Sequence, residues 1–177
     1  MVPAEPTKPP VSPAVRRNMQ AIRARDTAPE LAVRTRLHAM GLRYRVATPL
    51  AFDRRRRADI FFSRVGLYVF IDGCFWHGCV EHFVPPKTNA EFWRAKIEGN
   101  AERDLNTTAR LQSLGYDVLR FWEHDDPSVV ADSIRARYLR ARQDQVELGY
   151  STQGGHFGGH QVIQPGSPIC SASPHRG

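Results

Sequence analysis

Apolar positions in this chain recur with two spacings, and each change of spacing marks a predicted change of element. Thr27, Ala28, Pro29 and Glu30 read as a capping box with proline in the first turn. The helix they open carries Leu31, Val33, Leu37 and Met40 and stops at Gly41. Ile60 to Phe62 and Val65 to Ile71 are rich in β-branched and aromatic residues and predict two strands, with Ser63 and Arg64 as the tight connection of a hairpin. Helical spacing returns from Ala90 to Leu114, where Trp93, Ile97, Ala101 and Leu105 recur every four residues and Gly115 ends the run. Asp117 to Trp122 predicts a third strand. Asp126 and Pro127 then start a last helix with Val130, Ile134 and Tyr138 on one face. The order helix, strands, helix, strand, helix predicts an α/β fold, a mixed sheet with helices on both faces.

The ends of the chain lack such spacing. Residues 1–14 are rich in proline and predict a disordered leader; residues 149–177 turn to Gly, Ser, Pro, Gln and His, with Arg176 the only formal charge, and predict a disordered tail. Residues 15–148 are left as one folded domain, long enough to bury a core without disulfides. His156, His160 and His175 in the tail read as scattered solvent-exposed histidines rather than a metal tract.

Charge narrows the partners. A formal net charge of +7 and a pI near 9.8 favour a polyanion, nucleic acid above all. The apolar runs are strand-sized, so no membrane partner is expected. Three cysteines without a secretory segment predict a reducing compartment, the cytoplasm, and metal rather than disulfide for Cys74 and Cys79.

Reactive groups crowd the exit of the second predicted strand, where Ile71 to Cys79 hold a carboxylate, an imidazole, two thiols and two large aromatics. Asp59 opens one hairpin strand and Asp72 ends the other, so pairing brings both to one end of the sheet, an arrangement suited to Mg²⁺ and its hard oxygen ligands. Asp59 read alone is better taken as a turn or salt-bridge residue beside the arginines; Asp72 and His77 in the same region favour the site. His77 fits a general base, a metal ligand or a packed loop histidine. Cys74, Cys79 and His82 offer Zn²⁺ three ligands, with His124 the candidate fourth; the alternative is two buried free thiols. Trp93 reads as core, whereas Phe75 and Trp76 point opposite ways on an extended chain and both bury only if the segment leaves the strand. An exposed aromatic wedge of this kind can enter a base stack. Arg54, Arg55, Arg56 and Arg57 form a run on a loop, either solvated or in contact with phosphates.

These residues resemble the very short patch repair (Vsr) DNA mismatch endonucleases of bacteria. The resemblance spans roughly Arg17 to Glu123, through Asn18 to Ile22, Arg25 to Glu30, Ala58 and Asp59, Phe70 to His77, Thr88 to Trp93, Lys96 to Asn100, Glu102 to Asp104 and Leu119 to Glu123. It implies a restriction-endonuclease-like fold with a structural zinc site, a catalytic Mg²⁺, and nicking of double-stranded DNA 5′ to the thymine of a T:G mismatch left by deamination of 5-methylcytosine. By position, Asp59 and the Ile71 carbonyl match the Mg²⁺ ligands, and His77 matches the general base. Glu30 and Asp104 match further active-site acids. Phe75, Trp76 and Trp93 match aromatics that wedge beside the mismatch, and Met19 matches a residue that inserts from the minor-groove side. Cys74, Cys79, His82 and His124 fall at the structural zinc positions. Some members carry histidine where this chain has Asp72, which leaves the role of Asp72 open, and many carry cysteine at the positions of His82 and His124. The resemblance also implies a monomer in the bacterial cytoplasm, associated with the nucleoid and with repair-pathway proteins. The rival readings are a restriction-like nuclease cutting both strands of matched DNA and a non-catalytic zinc-held module that bends DNA.

Overall fold

The computed structural model describes residues 25–153. Met19, the leader, and residues 154–177 with their histidines lie outside the described residues, whereas residues 149–153, assigned above to the disordered tail, continue the last helix. The elements run α1 (Ala28–Ala39), β1 (Arg45–Pro49), β2 (Arg57–Phe62), β3 (Leu67–Asp72), α2 (Cys74–His77), α3 (Ala90–Ser113), β4 (Asp117–Trp122) and α4 (Pro127–Gln153). The sheet order is β1-β2-β3-β4. The first three strands are antiparallel neighbours and β4 lies parallel to β3. A parallel pair needs a crossover connection, and α3 supplies it.

Successive side chains on a strand face opposite ways, so β3 serves two cores at once. Leu67 and Val69 join Ile60 and Phe62 of β2 beneath α1 and α4, whose Val33, Leu37, Val130 and Ile134 seal that face. Tyr68 and Phe70 point to the other face, against Leu50 and Leu111 of α3. Helices therefore cover both faces, as the pattern predicted. Among the described residues no helix is long and apolar enough to cross a membrane.

Several expectations change in detail. β1 lacks a long apolar alternation and ends in proline, so its pattern did not single it out; it is an edge strand, where proline is tolerated. The hairpin turn takes in Val65 and Gly66 as well as Ser63 and Arg64, and Gly66 adopts φ 66°. Thr27 is the N-cap of α1 but makes no side-chain cap. Its hydroxyl donates instead to Glu30 Oε1 at 2.8 Å, and Glu30 Oε2 accepts the Asp26 N–H at 3.1 Å. The capping box is thus replaced by a cradle for a buried carboxylate, 5% exposed. Leu31, at 44%, leaves the core stripe of α1. The four-residue stripe predicted for α3 also drifts, because each step of four overshoots a full turn by about 40°. Leu105 consequently stands 75% exposed, while Ile97, Thr107 and Leu111 make the buried face.

Candidate active site

The antiparallel pairing of β2 with β3 and the parallel pairing of β3 with β4 bring the start of one strand and the ends of two others to a single edge. A cleft of about 620 Å³ opens there, lined among others by Glu30, Asp59, Asp72, His77, Asp104 and Arg120. All five acids and bases singled out in the sequence therefore meet. Asp59 Oδ2 accepts the Ile71 N–H at 2.7 Å. Burial pushes its pKa up to about 6, helped by the nearby Glu30 and Asp72 charges and opposed by the Ile71 hydrogen bond. A carboxylate stripped of water beside other acids is stabilised as an anion by a divalent cation, and its donor chemistry suits Mg²⁺.

His77 faces a different set of partners. Its Nδ1 is hydrogen-bonded to Asp104 Oδ2 and lies 3.8 Å from Asp72 Oδ1. Burial lowers its proton affinity, but the Asp104 hydrogen bond and the two carboxylate charges outweigh it and leave the pKa raised. Asp104 is partly buried too, which works against its charge, yet His77 and Arg120 hold its pKa down. With Nδ1 committed to Asp104, Nε2 is the ring nitrogen left for proton transfer.

β3 ends at Asp72, and Gly73 then caps the single turn of α2, from which Cys74, Phe75, Trp76 and His77 fan out. The chain does leave the strand here, as burial of two adjacent aromatics required. Gly78 closes the turn in the left-handed region, φ 66°, and an added Cβ would lie 2.7 Å from Ile97 Cγ2. Phe75, Trp76 and Trp93 pack on one another with ring centroids 5.2 to 6.1 Å apart. All three are half-buried. Trp76 reaches the cleft, Lys96 lies over its ring at 5.5 Å, and its carbonyl accepts the Asn100 side-chain amide at 2.6 Å.

Behind this turn Cys74, Cys79, His82 and His124 converge, their ligand atoms within 4.8 Å of one another. The four Sγ to Nδ1 separations run from 3.0 to 4.0 Å. A tetrahedral zinc with ordinary Zn–S and Zn–N bonds sets that separation at about 3.6 Å, so the donor set fits. His124 turns Nε2 away from the sulfurs, toward Glu81 at 3.6 Å and Asp125 at 3.7 Å. Carboxylates so placed orient a ligating imidazole. Burial and its neighbours push Cys74 up to about 12, so this thiol ionises only beside a cation.

The arginine run divides, contrary to the loop reading. Arg57 begins β2 and donates to the Ala47 carbonyl at 2.7 Å, while Arg56 pairs with Asp53 at 3.3 Å and donates to Thr107 Oγ1 at 2.7 Å. Arg54 and Arg55 are exposed. Sequence reasoning missed Arg120 and Asn100. The available signal for Arg120 was an arginine set inside an otherwise apolar strand, in register with Phe70.

The family model described as DNA mismatch endonuclease Vsr matches residues 11–81. The Type II nicking enzyme V.NaeI of Lentzea aerocolonigenes is 43% identical over 112 residues, covering 62% of this chain and 68% of that protein. The chain belongs to the Vsr family. The DNA mismatch endonuclease Vsr of Escherichia coli (strain K12) is 40% identical over 110 residues, 60% of this chain and 67% of its own length. The Type II nicking enzyme V.XorIIP of Xanthomonas oryzae pv. oryzae is 39% identical over 132 residues, 73% of this chain and 94% of its own length.

Proposed function

We propose that this chain is a Mg²⁺-dependent DNA endonuclease that nicks one strand 5′ to the thymine of a T:G mismatch arising from deamination of 5-methylcytosine. The observation that carries the reading is the meeting, in one cleft, of a desolvated Asp59 and an imidazole whose Nδ1 is taken by Asp104. Asp59 and the Ile71 carbonyl would hold Mg²⁺, which supplies charge neutralisation at the phosphate when bound. His77 Nε2 accepts a proton from the attacking water. Asp104 fixes the ring and favours the imidazolium that results, the role of an orienting carboxylate. Glu30, bonded to Thr27 and the Asp26 amide, keeps a second acid beside Asp59. The aromatic cluster of Phe75, Trp76 and Trp93 adjoins the cleft, where a wedge entering a base stack would bring the neighbouring phosphate to His77. Cys74, Cys79, His82 and His124 would hold a structural zinc, which would lock the turn from which His77 and the wedge both project. Arg54 and Arg55 are placed to meet phosphates at the rim.

End-labelled duplexes that are matched, or carry a single T:G pair, test this with Mg²⁺ present. A nick confined to the thymine strand is expected. Cutting of both strands of the matched duplex would support the restriction-like alternative, and binding without cutting would support a DNA-bending module.

A further inference from the structure

Asp72, His77 and Asp104 place a ligand atom each within 4.8 Å of one another, an arrangement able to hold a metal ion. Arg120 occupies the cationic place among them. Its Nε donates to Asp72 Oδ2 at 2.7 Å and its Nη2 to Asp72 Oδ1 at 2.6 Å, a fork-to-fork pair. The same Nη2 lies 3.0 Å from Asp104 Oδ1. The guanidinium also stacks over Phe70, 4.8 Å from its ring centroid, which fixes its plane. One side chain on β4 thus ties the end of β3 to α3, and both acids it holds border His77.

Charge explains why such a clamp is needed. Glu30, Asp59, Asp72, Asp104 and Glu123 line one cleft that must admit a phosphodiester, and like charges at close range repel strongly where water is excluded. Of the arginines lining the same cleft, Arg120 is the one paired with Asp72 and Asp104. We infer that Arg120 is a positioning residue of the nicking reaction: it neutralises Asp72 and holds Asp104 against His77. Asp72 is then a partner of Arg120 rather than a metal ligand, which answers why an acid is tolerated at that position. The inference rests on the cleft being the nicking site.

A double-mutant cycle on the full chain tests it, with single-turnover nicking of the T:G duplex and binding of the same duplex measured together. R120L should slow nicking on the order of 100-fold while binding stays within about threefold. D72N/R120L should recover at least about tenfold over R120L, because the unpaired carboxylate is gone. Strictly additive effects, or a loss confined to binding with a shallower salt dependence, would overturn the inference; the latter would make Arg120 a phosphate anchor. Should R120L not fold, R120K serves: one ammonium lacks the fork that spans both acids, so nicking at the wild-type rate by R120K would also overturn it. Failure of the wild-type chain to nick would instead sink the proposed function.

Discussion

His77 sits where burial and its neighbours pull its proton affinity in opposite directions, and the neighbours win. A general base works only when unprotonated, so nicking should rise with pH through a midpoint above the ordinary imidazole value of 6.5. Asp104 is the largest of the influences that raise that midpoint. Asp104→Asn removes a negative charge that favours imidazolium, so the acid limb should move to lower pH. The rate at its plateau should still fall, on the order of 100-fold or more, because the ring loses the carboxylate that orients it. A pH-rate profile of the two proteins checks both effects, and an unmoved limb would show that Asp104 does not set the proton affinity of His77. Asp59 is governed differently: its shift comes first from burial, so its charge depends on what binds beside it.

Among the elements, α2 is the shortest and has the most to hold. Its single turn must send two thiol-bearing flanks one way and Trp76 with His77 the other, and Gly78 permits the sharp exit. A four-residue helix has no stability of its own. The Cys74, Cys79, His82 and His124 group behind it is placed to act as a staple once it holds a metal ion. One zinc per chain is expected by elemental analysis; Cys79→Ser should lose it and unfold at lower temperature, and a variant that keeps full stability without metal would contradict the structural role. Much of this region was legible in the sequence, because Cys74, Cys79 and His82 are close in the chain and β4 returns His124 to the same edge. The hairpin and β4 were legible from their β-branched and aromatic residues, and α4 because Val130 and Ile134 fall on its buried face. Leu105 was misread because steps of four drift around a helix, and the capping box because the pull of a buried Glu30 is a tertiary effect. Arg120 was hidden too, because its partners Asp72 and Asp104 lie far from it along the chain.

Across the whole molecule a basic chain gathers its candidate catalytic acids, among arginines, in one cleft. The formal net charge of +7 draws DNA in, and the acids gathered at one sheet edge keep the phosphate from settling there without a cation. On the proposed reading binding and cutting are separable properties: aromatic and arginine contacts would give the first, and Asp59, His77, Asp104 and Arg120 the second. The most direct test is His77→Ala, assayed by single-turnover nicking of a T:G duplex at saturating protein, with Mg²⁺ and with affinity for that duplex measured alongside. The account predicts that cutting falls by about 100-fold or more while affinity is retained. Cutting at the wild-type rate by His77→Ala would contradict it.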